Sequence, residues 1–227
     1  MHEYIKPLAE KFKESAVPEN APQMKAYMKD RFEFFGIKTP ARKAISREFF
    51  SAHGIPDHFD LEEIVFNLFE LPQREFHYFA IDLCGKLRKE WKIGSMKLFE
   101  KMALTRSWWD SVDSINIVCI KPYFAKFPDQ SAAVTQRWID SQNIWLQRLS
   151  LIFQLRLTNK TDLKILERNI LQLNGSEEFF IQKAIGWALR DYAKTDPNWV
   201  LKFVRSHDLK PLSRREALKH IAPNPKT

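Results

Sequence analysis

The chain has 227 residues, 44% of them apolar, which suffices for a continuous core in one large domain or two small ones. Its 36 Lys and Arg outnumber its 28 Asp and Glu, and the resulting formal charge of +8 favours a polyanionic partner without proving one. None of the six glycines forms a Gly-x-Gly-x-x-Gly or Walker loop, no His-Glu-x-x-His occurs, and Cys84 and Cys119 have no Cys-x-x-Cys neighbour, so nucleotide-cofactor folds, zinc sites and disulfide frameworks lose their main support.

In chain order, one phrase keeps returning: a capping residue or proline, then a basic residue, then an apolar run of helical period. It opens Thr39-Pro-Ala-Arg42, Leu71-Pro-Gln-Arg74-Glu75, Ser107-Trp-Trp-Asp110, Asn143-Ile-Trp-Leu-Gln-Arg148, Ser176-Glu-Glu-Phe-Phe-Ile-Gln-Lys183 and Ser213-Arg-Arg-Glu216, at intervals of 32 to 37 residues. Ser213 with Glu216 has the spacing of a capping box, and Ser107 with Asp110 that of its shorter acidic relative. Between the phrases run further amphipathic stretches, as at 61–71, 96–104 and 163–173, each the expected partner helix of one repeat.

A two-helix unit this short cannot bury its own apolar faces, so neighbours must stack on a shared core, and an α-solenoid is expected. Helices that open with the same phrase should lie side by side with their N-termini in a row. Free N–H groups and basic side chains would then form a surface suited to a phosphate backbone. Arg42, Arg74, Arg190, Arg214, Arg215 and Lys219 are candidates for it by repeat position, each equally readable as a solvated cation. On the repeat alone, a protein-binding scaffold stands ahead of a nucleic-acid binder.

Trp109 and Asp113 stand one helical turn apart and share a face. Arg148 marks the same part of the helix in the next unit, and Lys183 with Trp187 repeats the four-residue spacing in the one after. Trp108, Trp138, Trp145 and Trp199 are assigned to packing. An indole beside a carboxylate suits a reaction that develops positive charge, such as cleavage of an N-glycosidic bond through an oxocarbenium-like state. A carboxylate about 4 Å from a unit positive charge, at an effective dielectric near 20, gains roughly 4 kcal/mol, about three orders of magnitude in rate. The same Asp can orient or deprotonate water. No second carboxylate is evident beside Asp113, so the leaving group should already carry charge, as an N-alkylated purine does. Spacing alone leaves this as one reading among several, because a tryptophan at helical spacing is more often core and a helical Asp more often solvated.

Ser107-Trp-Trp-Asp-Ser-Val-Asp113, together with Asn143-Ile-Trp-Leu-Gln-Arg148 and Glu178-Phe-Phe-Ile-Gln-Lys-Ala-Ile-Gly-Trp187, closely resembles the AlkD-type DNA alkylation repair enzymes. The resemblance runs from near the N-terminus to Ser213-Arg-Arg-Glu-Ala-Leu-Lys-His220 and reverses the preference for a scaffold. It implies a HEAT-like α-solenoid that hydrolyses N3- and N7-alkylated purines from duplex DNA without flipping the base into a closed pocket, the route that most glycosylases take. It further implies Asp113 as the catalytic carboxylate, Trp109 and Trp187 against the deoxyribose, Arg148 holding the backbone beside the lesion, and Tyr27 completing the aromatic site. Bulky adducts should then be tolerated.

The N-terminal Met-His-Glu-Tyr-Ile-Lys-Pro7 has no hydrophobic core before a cleavage site, and no apolar run reaches membrane-spanning length, so a cytoplasmic location is expected. Asn159-Lys-Thr161 and Asn174-Gly-Ser176 are read as chance glycosylation patterns. The combined expectation is an all-α, HEAT-like α-solenoid of about six stacked helical hairpins with a concave basic surface, one domain over 1–227. It is expected to act as a monomeric, monofunctional glycosylase on 3-methyladenine and 7-methylguanine type lesions in double-stranded DNA, with no metal, cofactor or required protein partner. Its expected catalytic residues are Asp113, Trp109 and Trp187, and its DNA contacts Arg148, Tyr27, Lys183, Arg190, Arg214 and Arg215. The alternative is a non-catalytic α-solenoid that binds DNA or protein.

Overall fold

Prolines and capping side chains set where the helices begin. In the computed structural model, which describes residues 2–221, the backbone is helical throughout, and the described residues contain no strand, only an isolated bridge between Glu33 and Gln73. The helices are α1 (Lys6–Glu14), α2 (Ala21–Tyr27), α3 (Thr39–His53), α4 (Leu61–Glu70), α5 (Arg74–Lys86), α6 (Met96–Leu104), α7 (Trp109–Ile115), α8 (Lys121–Lys126), α9 (Ser131–Asp140), α10 (Ile144–Ile152), α11 (Leu163–Leu173), α12 (Phe179–Tyr192), α13 (Pro197–Ser206) and α14 (Pro211–Leu218). Pro7, Pro22, Pro40, Pro197 and Pro211 occupy first-turn positions, where the missing N–H costs nothing and the fixed φ favours helix. The Asn143 side chain caps α10 by accepting from the backbone N–H of Trp145 and Leu146 at 3.0 and 3.3 Å, and Asp162 and Asp196 cap α11 and α13 in the same way.

One of the serines expected as caps does other work. Because Pro211 starts α14 early, Ser213 falls inside the helix, where its buried hydroxyl donates to the Gln182 carbonyl at 3.0 Å. Upstream of α7 the chain is extended at Trp108 (φ −156°). Between α7 and α8 lies one turn of π-helix, Asn116–Ile120. Pro122 follows it, with no N–H to give the Val118 carbonyl and a ring that would crowd it, and the widened turn relieves that conflict.

Two compact units divide the chain, Met1–Arg106 and Ser107–Thr227. In the first, Phe12 of α1 packs on Phe76 and Phe79 of α5, with ring centroids 5.3 and 6.5 Å apart, and Phe49 of α3 meets Phe79 at 5.4 Å. Glu75 is fully buried and accepts hydrogen bonds from the backbone N–H of Phe35, Gly36 and Ile37 at 3.1–3.2 Å. Gly36 adopts a positive φ of 83°, and a Cβ there would lie 2.0 Å from the Val17 carbonyl oxygen, so only glycine serves.

Arg42 and Arg74, candidates for phosphate contact by repeat position, are instead inside this unit. Arg42 pairs with Asp82 at 2.7 Å. Arg74 is fully buried, stacks 3.8 Å over the Phe32 ring, and donates to the Arg106 carbonyl at 2.8 Å. The repeat period tells which turn a residue occupies, whereas burial depends on which face of that turn meets a neighbour.

In the second unit α7, α10, α12 and α14 pack side by side in that order. α9 lies against α10 and α11, and α13 lies against α12 and α14. This is the stacked-hairpin order of a HEAT-like α-solenoid, and four of the six recurring phrases open the helices of one row. Ile115, Trp138, Leu149, Ile170, Ile185, Leu189 and Val200 are fully buried between the layers, each aliphatic side chain contributing about 1.5–3 kcal/mol.

The tightest crossing is at Gly186 of α12, where a Cβ would lie 2.4 Å from Glu216 Cβ and 2.8 Å from the Ser213 carbonyl oxygen on α14. Alanine ordinarily stabilises a helix by about 1 kcal/mol over glycine, but overpacking against backbone costs about 1–3 kcal/mol. Gly186→Ala is therefore expected to lower stability, by up to about 2 kcal/mol. A urea midpoint equal to or above that of the wild type would contradict the assigned crossing.

Candidate active site

The carboxylate of Asp113 and the guanidinium of Arg148 meet edge to edge. Arg148 Nε donates to Asp113 Oδ1 at 2.8 Å and Nη2 donates to Oδ2 at 2.9 Å, a bidentate pair joining α7 to α10. The remaining terminal nitrogen, Nη1, donates to the Phe180 carbonyl at 2.9 Å, which extends the link to α12. The Arg148 side chain is 6% exposed and that of Asp113 16%, so Asp113 is the more accessible partner of a largely buried pair. Burial pushes the Asp113 carboxyl above its ordinary value, opposed by the hydrogen bonds and charge of Arg148, and nearby Asp110 adds a smaller upward push. Asp110 is itself buried in the first turn of α7. The expectation of no carboxylate beside Asp113 is thereby corrected: two acids three residues apart lie on one helical stripe.

Aromatic side chains form the surroundings. The Trp108 ring meets Trp145 at 5.8 Å and Phe180 at 5.1 Å, and Trp145 meets Phe180 at 5.1 Å, tying the starts of α7, α10 and α12 together. Trp187 lies near the same guanidinium, with Arg148 Cζ 5.8 Å from the centroid of its ring. Trp109, one turn before Asp113, and Trp187 are both half-buried, as a surface that receives a ligand requires. Trp138 is wholly buried, and Trp199 stacks with Phe203 at 5.1 Å, the packing role expected of both.

Asp113, Arg148 and Trp187 are thus brought together, with Trp109 on the same short helix. Tyr27 is the last residue of α2, in the Met1–Arg106 unit, and is 67% exposed. Lys183 and Arg190 flank Trp187 on α12 and share one partner, Glu216 of α14. Lys183 Nζ lies 3.0 Å from Glu216 Oε1, and Arg190 Nη1 contacts both Oε2 and the Glu216 carbonyl oxygen. Arg214, Arg215 and Lys219 are exposed. Sequence reasoning missed Phe180, whose ring and carbonyl both serve the site, and the charge role of Glu216, which its spacing from Ser213 had marked as half of a cap.

An all-helical stack presenting a desolvated carboxylate–guanidinium pair among indoles defines a class of helical-repeat protein with a built polar site. The profile of the DNA alkylation repair enzymes matches residues 8–221, and the chain belongs to that family. A solved structure described as a predicted DNA alkylation repair enzyme from Enterococcus faecalis is 33% identical, with a TM-score of 0.86 over 92% of this chain and 98% of that one. No curated protein matches the chain. Among the described residues no helix is long and apolar enough to cross a membrane.

Hydrogen bonds from Lys183 and Arg190, with their charges, hold the Glu216 carboxyl down to about 2 from an ordinary 4.5. The stability this trio contributes is therefore complete above about pH 4.5 and is lost as pH falls toward 2. Glu216→Gln should flatten that part of the acid limb in urea midpoints measured against pH. An acid limb as steep as the wild type's would show that the trio does not form.

Proposed function

We propose that this chain is a monofunctional DNA glycosylase that hydrolyses the N-glycosidic bond of N3- and N7-alkylated purines in duplex DNA, leaving an abasic site. The observation that carries the proposal is the bidentate Asp113–Arg148 pair, in which Asp113 keeps some exposure, with Trp109 one turn before it on the same helix and Trp187 near the Arg148 guanidinium. Departure of the base places positive charge on the deoxyribose, and Asp113 is the anion set to face it. Trp109 and Trp187 offer electron-rich ring faces to the same sugar. Water held by the Asp113 carboxylate attacks the anomeric carbon as the bond to the base breaks, and Asp113 takes its proton. Alkylation has already given the purine a positive charge, so it leaves as a neutral base without needing an acid, and it need not enter a pocket.

Arg148 has two effects in this scheme. Its positive charge offsets part of the roughly 4 kcal/mol that a lone carboxylate would give a cation about 4 Å away. In return it keeps Asp113 ionised where burial would otherwise protonate it, and a protonated acid neither attracts the cation nor accepts the proton. The Lys183 ammonium, engaged with Glu216, is assigned to phosphate contact and not to attack on the sugar, so strand cleavage is not part of the reaction. Arg214, Arg215 and Tyr27 complete the proposed contacts to DNA, and the enzyme acts as a monomer without a cofactor.

Incubation with duplex DNA containing 7-methylguanine tests the reading, with release of free base and an intact strand as the expected result. Asp113→Asn should slow release by two to three orders of magnitude, the part of the electrostatic gain left after the offset by Arg148, with duplex affinity little changed. Equal, trace release by both proteins would favour a non-catalytic binding module.

Activity should require ionised Asp113, so the rate should rise with pH through a midpoint above that of an ordinary aspartate. Arg148→Lys removes the two-pronged contact, leaves burial in place, and should move that midpoint to still higher pH. An unmoved midpoint would exclude Asp113 as the titrating group.

A further inference from the structure

Glu216 holds an unusual position for a carboxylate on a surface meant for DNA. It reaches α12 at the close crossing of Gly186 and bridges Lys183 and Arg190, which stand on either side of Trp187 in sequence. Its side chain is only 11% exposed, while those of Lys183 and Arg190 are 37% and 21% exposed. Lys183 and Arg190 are thus the more exposed members of the trio. Lys183 Nζ has three protons and Arg190 five N–H groups, so Glu216 leaves donors on each for a second acceptor. Two cations and one anion make a net +1 site where the spacing on α12 alone would make +2.

Resting on the reading of this face as a DNA contact, we propose that Glu216 is an internal counter-ion that competes with backbone phosphate for Lys183 and Arg190 and so limits affinity for undamaged duplex. A carboxylate and a phosphate oxygen draw on the same N–H donors. Each phosphate engaged therefore gains less from these cations than it would from free ones, and the penalty applies equally to every sequence. Asp113 and the two tryptophans are not part of the trio, so the restraint falls on general affinity and spares the contacts to the sugar. This makes Glu216 a residue that limits general affinity for DNA without any contact to substrate.

Binding of an undamaged duplex to wild type and to Glu216→Gln, measured from about 0.05 to 0.2 M salt, tests the proposal. Each additional phosphate neutralised adds about 0.9 to the slope of log affinity against log salt. The variant should therefore show a slope steeper by about 0.9 and bind about eightfold more tightly near 0.1 M salt. A residue needed only for packing would not steepen the slope, and an unchanged or shallower slope overturns the proposal. If Glu216→Gln does not fold, Glu216→Met removes the charge with apolar volume of similar length. If neither folds, Lys183→Gln/Arg190→Gln should lower the slope by only about 0.9, the share that Glu216 leaves to the two cations, and a loss of about 1.8 or no change would overturn the assignment. Wild type with no salt-dependent affinity would instead overturn the DNA reading itself.

Discussion

A carboxylate that is shut away from water tends to take up a proton, and the site on α7 depends on preventing that. Asp113 is buried enough for its carboxyl to be pushed upward, and the two-pronged contact from Arg148 is the main opposing force. The guanidinium can be held in this orientation only if α10 sits at a fixed distance and rotation from α7. Its third link, to the Phe180 carbonyl, makes the same demand of α12. Three helices are therefore tied by one side chain, and the Trp108, Trp145 and Phe180 rings fill the space at their N-terminal ends. An exposed ion pair would contribute little, about 0–1 kcal/mol, whereas removing one partner of a buried pair typically costs about 3–5 kcal/mol. The chemistry and the packing of this row of helices thus rest on the same contact.

Next along the row, a similar arrangement of charges has the opposite purpose. At Asp113 one buried cation holds a carboxylate that burial pushes upward; at Glu216 two more exposed cations share one carboxylate and hold it down. In the proposed reaction the first faces a sugar that becomes cationic, and the second, with a net charge of +1, meets phosphate. Both lie within one row of stacked helices because consecutive repeats put equivalent turns next to each other, about 35 residues apart in sequence and one helix apart in space.

Much of this was legible in the chain beforehand. The partner helices at 96–104 and 163–173 have the bounds their apolar period implied, and Asn143 caps α10 as its place before the apolar run required. Periodicity reports the turn on which a residue lies, which is why Asp113, Arg148 and Trp187 were found together. It does not report which partner fills the groove opposite. Arg42 and Arg74 carried the same signal as Arg148 yet point into aromatic and acidic surroundings in the first unit. Ser213 and Glu216 had the spacing of a cap, but spacing cannot reveal that Pro211 starts the helix earlier or that two cations wait across Gly186. Such pairings are set by the packing of helices distant in sequence, and they became visible only once that packing was known.

The π turn at Asn116–Ile120 has a bearing on how such a site coexists with a packed core. An unbroken helix advances 100° per residue, so a face chosen for one end dictates the face at the other. The widened turn resets that count halfway along. Before it, Asp113 answers to the helices that carry its arginine; after it, Tyr123 is wholly enclosed and the Lys121 ammonium is directed to the Leu155 carbonyl. One rod thus carries two faces with a fixed offset between them, so the face that suits the carboxylate at α7 differs from the one an unbroken helix would impose at α8.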